Sequence, residues 1–233
     1  MTLLNQKHAT IETAIATIPD EASIMVGGFG SPGTPFALLD ELLAQGQKHL
    51  TLIKNDANEP DIGIGRLIRA GRVDRLITSH IGLNRIAIEE MNQGRLAVEM
   101  HPQGLLAEKI RCAGAGHYGF LTDIGLGTEI AEGRREIECD GQTWAIEPAI
   151  RADVALVHAD LADAYGNLVY RGTAINFNPL MAMAADRVIA QAFRVEAPGY
   201  LAPETIHTPC AFISQVVRVD VATSEQGRRT NAV

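Results

Sequence analysis

Short apolar runs alternate with helix-patterned segments along the first half of the chain, and this alternation restricts the fold more than any other feature. The sequence predicts strands at 23–26, 50–53, 73–78 and 96–100, and helices at 8–17, 35–45, 62–70, 84–93 and 104–112. Repeated strand and helix units are typical of an α/β fold, with an open, mostly parallel sheet and helices on both faces. Ligands bind such sheets at the carboxyl ends of strands, so chemistry is expected directly after each strand.

The second half of the chain is less regular. We predict strands at 144–150, 154–158, 167–170 and 187–192 and a helix at 179–185. Glycine-rich residues 114–133 interrupt the pattern and are predicted to form a long loop that acts as a lid or a subunit contact. A single domain is expected over residues 1–233, with its core at about 8–217 and a flexible polar tail at 221–233.

Composition and charge exclude several classes of protein. The formal charge of -8 argues against nucleic-acid binding, which needs clustered basic residues. No apolar run approaches the ~18 residues of a membrane span, and no secretory leader pattern opens the chain. The three cysteines, Cys112, Cys139 and Cys210, lie far apart and match neither a disulfide framework nor a metal site. A soluble cytoplasmic protein without a metal ion is expected.

A glycine-rich loop follows the first strand. It comprises Gly27, Gly28, Phe29, Gly30, Ser31, Pro32 and Gly33. Glycines allow close approach of a ligand to the backbone, whose N–H groups bind anions without net positive charge. The spacing differs from a dinucleotide fingerprint, and the Gly-Lys-Ser/Thr ending of a nucleoside triphosphate loop is missing. The loop is therefore either an anion site of another kind or a plain tight turn.

Polar residues follow the other predicted strands. Asn55 comes after the second strand and Gln103 after the fourth, so both amides are expected at the edge that holds the glycine loop. Asn is also a common turn former, which is the simpler role for Asn55. His80 follows the third strand, but no carboxylate or nucleophile stands beside it in the sequence. For Asn178, next to the helix at 179–185, a helix N-cap is the favoured role.

No nucleophile motif accompanies these binding groups. The chain has no G-x-S-x-G elbow, no H-E-x-x-H pair and no Cys/His constellation. The sequence Ser224-Glu225-Gln226-Gly227 places a carboxylate before glycine, but it lies in the polar tail and is interpreted as a solvated turn. The chain is therefore expected to carry half of a site.

Several short motifs occur in an order that is specific to one family. The first motif begins with an acidic residue, Asp20, and an apolar run at 24–26. Gly-Gly-Phe follows at 27–29, and a spaced Gly-x-Pro follows at 33–35. Further matches are 50–53 with Asn55-Asp56, 102–111, 114–116, 166–167 and 176–178. By these motifs the chain resembles the alpha subunit of a family I coenzyme A-transferase over about residues 8–217. Ile175 departs from the family, which usually has Arg before Asn-Phe-Asn.

The resemblance implies a shared active site. In the family, a glutamate of the beta subunit forms an acyl-glutamyl anhydride and then a glutamyl-CoA thioester, so no catalytic residue is expected in this chain. Asn55 and Gln103 would line the substrate pocket, and the backbone of residues 27–33 would face coenzyme A. The implied partner is a beta subunit in a heterodimer or a higher α/β oligomer. Coenzyme A and acyl-CoA would be substrates, and no permanently bound cofactor is implied.

Segments 61–65 and 79–82 resemble the acetate and butyrate-acetoacetate branch of the family more than the 3-oxoadipate branch. Two other functions stay open from the residues themselves. One is a sugar-phosphate isomerase with a similar α/β sheet, which would need its own acid and base. The other is a metabolite-sensing module, which would normally add a basic DNA-binding helix that this chain lacks.

Overall fold

The computed structural model of the protein describes residues 7–220. The predicted alternation of strands and helices is confirmed in the first half of the chain. Its elements are α1 (Ile11–Ile15), β1 (Ser23–Val26), α2 (Phe36–Gln45), β2 (Leu50–Ile53), α3 (Ile64–Arg69), β3 (Val73–Thr78), α4 (Arg85–Asn92), β4 (Ala97–Met100) and α5 (Gln103–Gly114).

The second half adds longer strands and a second sheet. Its elements are β5 (Gly119–Thr122), β6 (Glu136–Cys139), β7 (Gln142–Pro148), β8 (Ala152–Asp163), β9 (Leu168–Val169), α6 (Asn178–Ala184), β10 (Ala185–Glu196) and β11 (Gln215–Arg218). Short 3-10 turns are formed by Glu129–Ala131, Gly172–Ile175, Pro203–Thr205 and Cys210–Phe212. The tail at 221–233, predicted to be flexible, and the Glu225 motif within it lie outside the described residues.

The main sheet is open and mostly parallel, as the sequence predicts. Its strands follow the order β11-β10-β8-β1-β2-β3-β4, and β9 adds antiparallel to β8. β1 lies between β2 and β8, with Ile24 opposite Leu52 on one side and Val154 on the other. The chain builds outward from β1 in one direction and later in the other. The loop after β1 therefore lies at the point where the strand order reverses, where open α/β sheets bind ligands.

Helices cover both faces of this sheet, which confirms the prediction. Successive side chains of a strand point to opposite faces, and Ile24 and Val26 belong to one buried cluster while Met25 belongs to the other. Helices α1 to α4 contribute to the first cluster, and α5 and α6 contribute to the second. Burial on both sides explains why β1 is a continuous apolar run rather than an alternating one.

The prediction of one long loop at 114–133 is wrong in part. Gly114 ends α5, and Gly119–Thr122 is strand β5 of a small antiparallel sheet with the order β5-β7-β6. In this sheet Leu121 lies opposite Ile146, so the strand predicted at 144–150 belongs here and not to the parallel sheet. A lid or subunit-contact role for the remaining loop stays a prediction.

Buried charges join the small sheet to α5. Glu147 of β7 is buried, and its carboxylate lies 2.6 Å from Lys109 Nζ and also contacts the Arg134 guanidinium. A carboxylate in the interior needs such partners because desolvation costs several kcal/mol per ion. Within the described range 7–220, no helix is long and apolar enough to cross a membrane.

Candidate active site

The glycine loop is held in one conformation by its own backbone. Gly27 N donates to Leu156 O at 2.9 Å, which continues the ladder between β1 and β8, and Phe29 N donates to Pro32 O at 3.0 Å across a turn. Gly28 has φ of 100°, and a Cβ there would stand 2.6 Å from Thr34 N. Only glycine fits this position, because the backbone conformation and the close approach both disfavour a side chain.

Three N–H groups of the glycine loop are left without a hydrogen-bond partner among the described residues by the bonds that shape it. Within the described chain, the N–H groups of Gly28, Ser31 and Gly33 have no hydrogen-bond acceptor, whereas those of Gly27 and Phe29 are occupied. Of the three, Ser31 is half-buried and the two glycines are buried. A contact between the backbone of residues 27–33 and coenzyme A stays a prediction, and these three N–H groups are the donors that could make it.

Asn55 lies against the loop, directly after β2. Its Oδ1 accepts hydrogen bonds from Gly30 N and from Lys54 Nζ, each at 3.2 Å. The Gly30 carbonyl in turn accepts from Asn58 Nδ2 at 3.0 Å and from the Thr34 hydroxyl at 2.7 Å. Asn55 therefore braces the loop through its oxygen, and its Nδ2 has no acceptor among residues 7–220.

Gln103 is the first residue of α5 and reaches the same edge of the sheet. Its Oε1 contacts the Ser79 hydroxyl, which also lies 2.6 Å from the Asn55 carbonyl oxygen, and the single hydroxyl proton serves one of these two acceptors at a time. Ser79 thus connects the two predicted substrate-binding residues. The Gln103 Nε2 likewise has no acceptor in the described part of the chain. Two neutral N–H₂ groups consequently remain for a carboxylate or for an acyl oxygen.

Lys54 and Asp56 form a buried ion pair at this edge. Lys54 Nζ lies 3.1 Å from Asp56 Oδ1, and the lysine side chain is fully buried. Burial lowers the pKa of the Lys54 ammonium, and the Asp56 carboxylate opposes that shift. Sequence reasoning misses Lys54, although a lysine that stands at the carboxyl end of an apolar strand, next to Asn55, is a signal that could have found it.

Asn178 is not the N-cap that the sequence favours. The residue that precedes α6 is Phe177, and Asn178 is the first residue of the helix. Its Nδ2 donates to Gly33 O at 3.1 Å and to Ala174 O at 2.8 Å, and its Oδ1 accepts from His158 N at 3.0 Å. The helix start is buried against the glycine loop, so this amide bonds to distant backbone rather than to its own helix.

Residues 8–219, almost the whole described chain, match the sequence profile of the family described as coenzyme A transferase. The chain belongs to the coenzyme A transferase family. Within that family it is an alpha chain of the family I type, as the resemblance implied.

Three relatives of this coenzyme A transferase chain match it over almost their full length. A probable coenzyme A transferase alpha chain of Bacillus subtilis is 47% identical, over 91% of this chain and 93% of its own. The alpha chain of the acetate CoA-transferase of Escherichia coli is 44% identical, over 92% and 97%. The corresponding chain of the 3-oxoadipate CoA-transferase of Pseudomonas putida is 41% identical, over 94% and 96%.

A solved acyl-CoA transferase has the same fold. YdiF of E. coli O157:H7, in a thioester complex with CoA, superposes with a TM-score of 0.81 at 22% identity. The alignment covers 94% of this chain and 48% of YdiF, so the present chain spans about half the length of that protein. At this identity the likeness shows the fold alone.

Other candidate residues of this coenzyme A transferase chain keep simpler roles. His80 is exposed, and its carbonyl accepts from Ala57 N at 3.1 Å, so its backbone extends the sheet edge. Ile175 ends a 3-10 turn beside the loop and is 39% exposed. Between residues 7 and 220 no group of three or more His, Cys, Asp or Glu side chains is arranged to hold a metal ion.

Proposed function

We propose that this chain is the alpha half of a heteromeric enzyme that moves coenzyme A between a short-chain acyl-CoA and a short-chain carboxylic or 3-oxo acid. The single observation that carries the proposal is the set of unpaired donors at one sheet edge. Asn55 and Gln103 share this edge with the loop, since Asn55 bonds to Gly30 N and Ser79 lies between Asn55 and Gln103, and the nearby Asp56 carboxylate is paired with Lys54. The donors are present, and the nucleophile is expected from a beta subunit.

The expected reaction is ping-pong. A glutamate of the beta subunit attacks the acyl carbon of acyl-CoA, and the CoA thiolate leaves as an acyl-glutamyl anhydride forms. The thiolate then attacks the glutamyl carbonyl of the anhydride, which releases the acid and leaves a glutamyl-CoA thioester. An incoming acid carboxylate reverses these steps. Negative charge develops on the carbonyl oxygen each time, and oriented amide donors stabilise such charge strongly when water is excluded.

The loop has a different task in this scheme. The free N–H groups of Gly28, Ser31 and Gly33 would hold an anionic part of coenzyme A without a basic side chain. This division agrees with the net charge of -8, since the binding groups are backbone dipoles and neutral amides.

The acyl specificity is proposed as short and monocarboxylic. Lys54 is fully buried and paired with Asp56, so it does not offer a cation to a second substrate carboxylate. The apolar Ile175 stands near the loop at the position where the family usually has Arg. Among the relatives, the acetate enzyme is 44% identical and the 3-oxoadipate enzyme, whose acid has two carboxylates, is 41% identical.

The test uses the chain alone and together with its beta subunit. CoA transfer from acetyl-CoA, butyryl-CoA or acetoacetyl-CoA to isotopically labelled acids is measured for both preparations. We expect transfer only in the mixture, and loss of transfer when the nucleophilic glutamate of the beta subunit is changed to Gln. Full turnover by the isolated alpha chain would contradict the proposal. Isomerase activity or ligand-responsive DNA binding would instead favour the two other functions.

A further inference from the structure

Burial of the Lys54 ammonium in the candidate site costs desolvation free energy, so its presence there calls for an explanation. Its side chain is fully buried directly after β2. Nζ lies 3.1 Å from Asp56 Oδ1 and 3.2 Å from both Gly30 O and Asn55 Oδ1. The ammonium donates hydrogen bonds to Gly30 O and Asn55 Oδ1, and its contact with Asp56 is an ion pair. Because a buried ion pair is weak support for stability, a role in the site is the stronger explanation.

The first consequence concerns the orientation of the Asn55 amide. Its oxygen faces Lys54 Nζ and Gly30 N, each at 3.2 Å. Both neighbours are donors only, so the flipped amide would place its N–H₂ group against two donors. Lys54 therefore contributes to fixing the oxygen inward, which leaves Nδ2 turned towards the site.

The second consequence concerns Gly30. Its carbonyl accepts from Lys54 Nζ, and its N–H donates to Asn55 Oδ1. Lys54 and Asn55 thus hold the carbonyl and the N–H group of Gly30, which lies at the centre of the glycine loop. A loop fixed in this way presents its remaining N–H groups without having to be ordered when the ligand binds.

The charge adds a third effect. A cation bonded to an amide oxygen draws electron density from the amide, which strengthens the opposite N–H donors, and hydrogen bonds in a chain reinforce one another in a low-dielectric site. We propose that Lys54 is a positioning residue for acyl transfer. It turns Asn55 Nδ2 towards the substrate and fixes Gly30 in the glycine loop. The acyl transfer in this proposal rests on the proposed function, whereas the contacts of Lys54 with Gly30 and Asn55 do not depend on it.

The test variant is Lys54→Met combined with Asp56→Asn, which removes both charges at similar size. The matched control is Lys109→Met. Lys109 is also buried in an ion pair, and its removal leaves Glu147 with Arg134, so neither variant has an unpaired buried charge.

The first measurement is turnover of each variant in complex with the beta subunit. Loss of one oriented donor lowers kcat by about 100-fold or more, while KM for acyl-CoA changes by less than about threefold. The Lys109→Met variant should retain most of the wild-type kcat. Equal losses of kcat in Lys109→Met and in the double variant would overturn the proposal.

The second measurement does not depend on activity. Hydrogen exchange of residues 27–34 in the full chain should be faster in the double variant than in wild type, and unchanged in Lys109→Met. Unchanged exchange in the double variant would overturn the positioning role even if the complex proves to have another activity. If the double variant does not fold, Lys54→Gln combined with Asp56→Asn replaces it, since the shorter neutral amide keeps a polar group in the same space but removes the ammonium that bonds to both Gly30 O and Asn55 Oδ1. Wild-type kcat in that variant would then reject the proposal.

Discussion

Asn178 lies directly against Gly27, and a Cβ placed on this glycine would stand 1.9 Å from the amide oxygen of Asn178. The same oxygen accepts from His158 N, and the amide nitrogen donates to Gly33 O. One side chain at the start of α6 thus contacts both ends of the glycine loop. The shape of that loop depends on a residue that is 145 positions away from Gly33 in the sequence.

The variant Gly27→Ala is expected to destabilise the chain by about 1–3 kcal/mol, because a well-packed interior has no room for the added methyl group. The matched control is Gly104→Ala in α5, where an added Cβ would meet no atom within 4 Å. Alanine there should be neutral or stabilising by up to about 1 kcal/mol. Urea unfolding of the wild type and of the two variants checks this. An unchanged midpoint for Gly27→Ala would show that the Asn178 side chain moves aside at no cost in stability.

The variant Asn178→Asp keeps the side-chain shape but removes both N–H donors. A carboxylate would then face the carbonyl oxygens of Gly33 and Ala174, at a cost of at least about 2 kcal/mol at pH 7. The control Asn92→Asp, on the exposed end of α4, changes the net charge equally and should cost little. Thermal unfolding that shifts equally in both variants would mean that charge, and not the lost donors, is responsible.

The variant Gln103→Ala is expected to lower kcat of the complex by about 100-fold, the usual effect of removing one donor to a developing oxyanion. Folding stability should change by less than about 1 kcal/mol, since this half-buried side chain makes one hydrogen bond, to Ser79. Steady-state kinetics and urea unfolding provide the two measurements, with the exposed Gln93→Ala as control. A loss of stability as large as the loss of activity would make Gln103 a structural residue.

Acid sensitivity should depend on His158. Burial lowers its pKa to about 4 from the usual 6.5. Between these values the unfolded chain binds a proton that the folded chain does not, so stability is lost as the pH falls from 6.5 towards 4. The loss is about 3 kcal/mol, from 1.36 kcal/mol per unit of pKa.

The variant His158→Asn keeps an acceptor for Gln191 Nε2, which lies 3.0 Å from His158 Nδ1. It should show a smaller difference in unfolding free energy between pH 7 and pH 4 than the wild type does, whatever its stability at pH 7. Urea titrations at the two pH values measure this difference. Identical differences in the two proteins would place the acid-sensitive group elsewhere.

Local sequence patterns predicted the strands and helices in the first half of the chain. They also predicted that three site residues lie near one another. Parallel strands end at one edge, so Gly30, Asn55 and Gln103 could be expected to lie near one another from the position of each after its strand. The small antiparallel sheet could not be predicted in this way. Its strand β5 is four residues long and is formed through pairing with β7, more than 20 residues further on.

Within the site, sequence reasoning failed where a side chain acts on distant backbone. Lysine is almost never fully buried without a partner, and the partners of Lys54 include Gly30, 24 positions earlier. Asn178 fits the local pattern of an N-cap, but its amide bonds to Gly33 and to His158 instead. Such contacts are tertiary, and no window of neighbouring residues contains them.

The position of β1 between β8 and β2 lets both flanks of the sheet support the glycine loop. Asn55 and Gln103, which face the acyl group in the proposed scheme, come from the side of β2 to β4. Asn178, which supports the glycine loop, comes from the side of β8 and β10. A substitution on the β2 flank can therefore alter the glycine loop together with the proposed acyl contacts, since Asn55 also bonds to Gly30 N, whereas a substitution of Asn178 reaches the loop from the opposite flank.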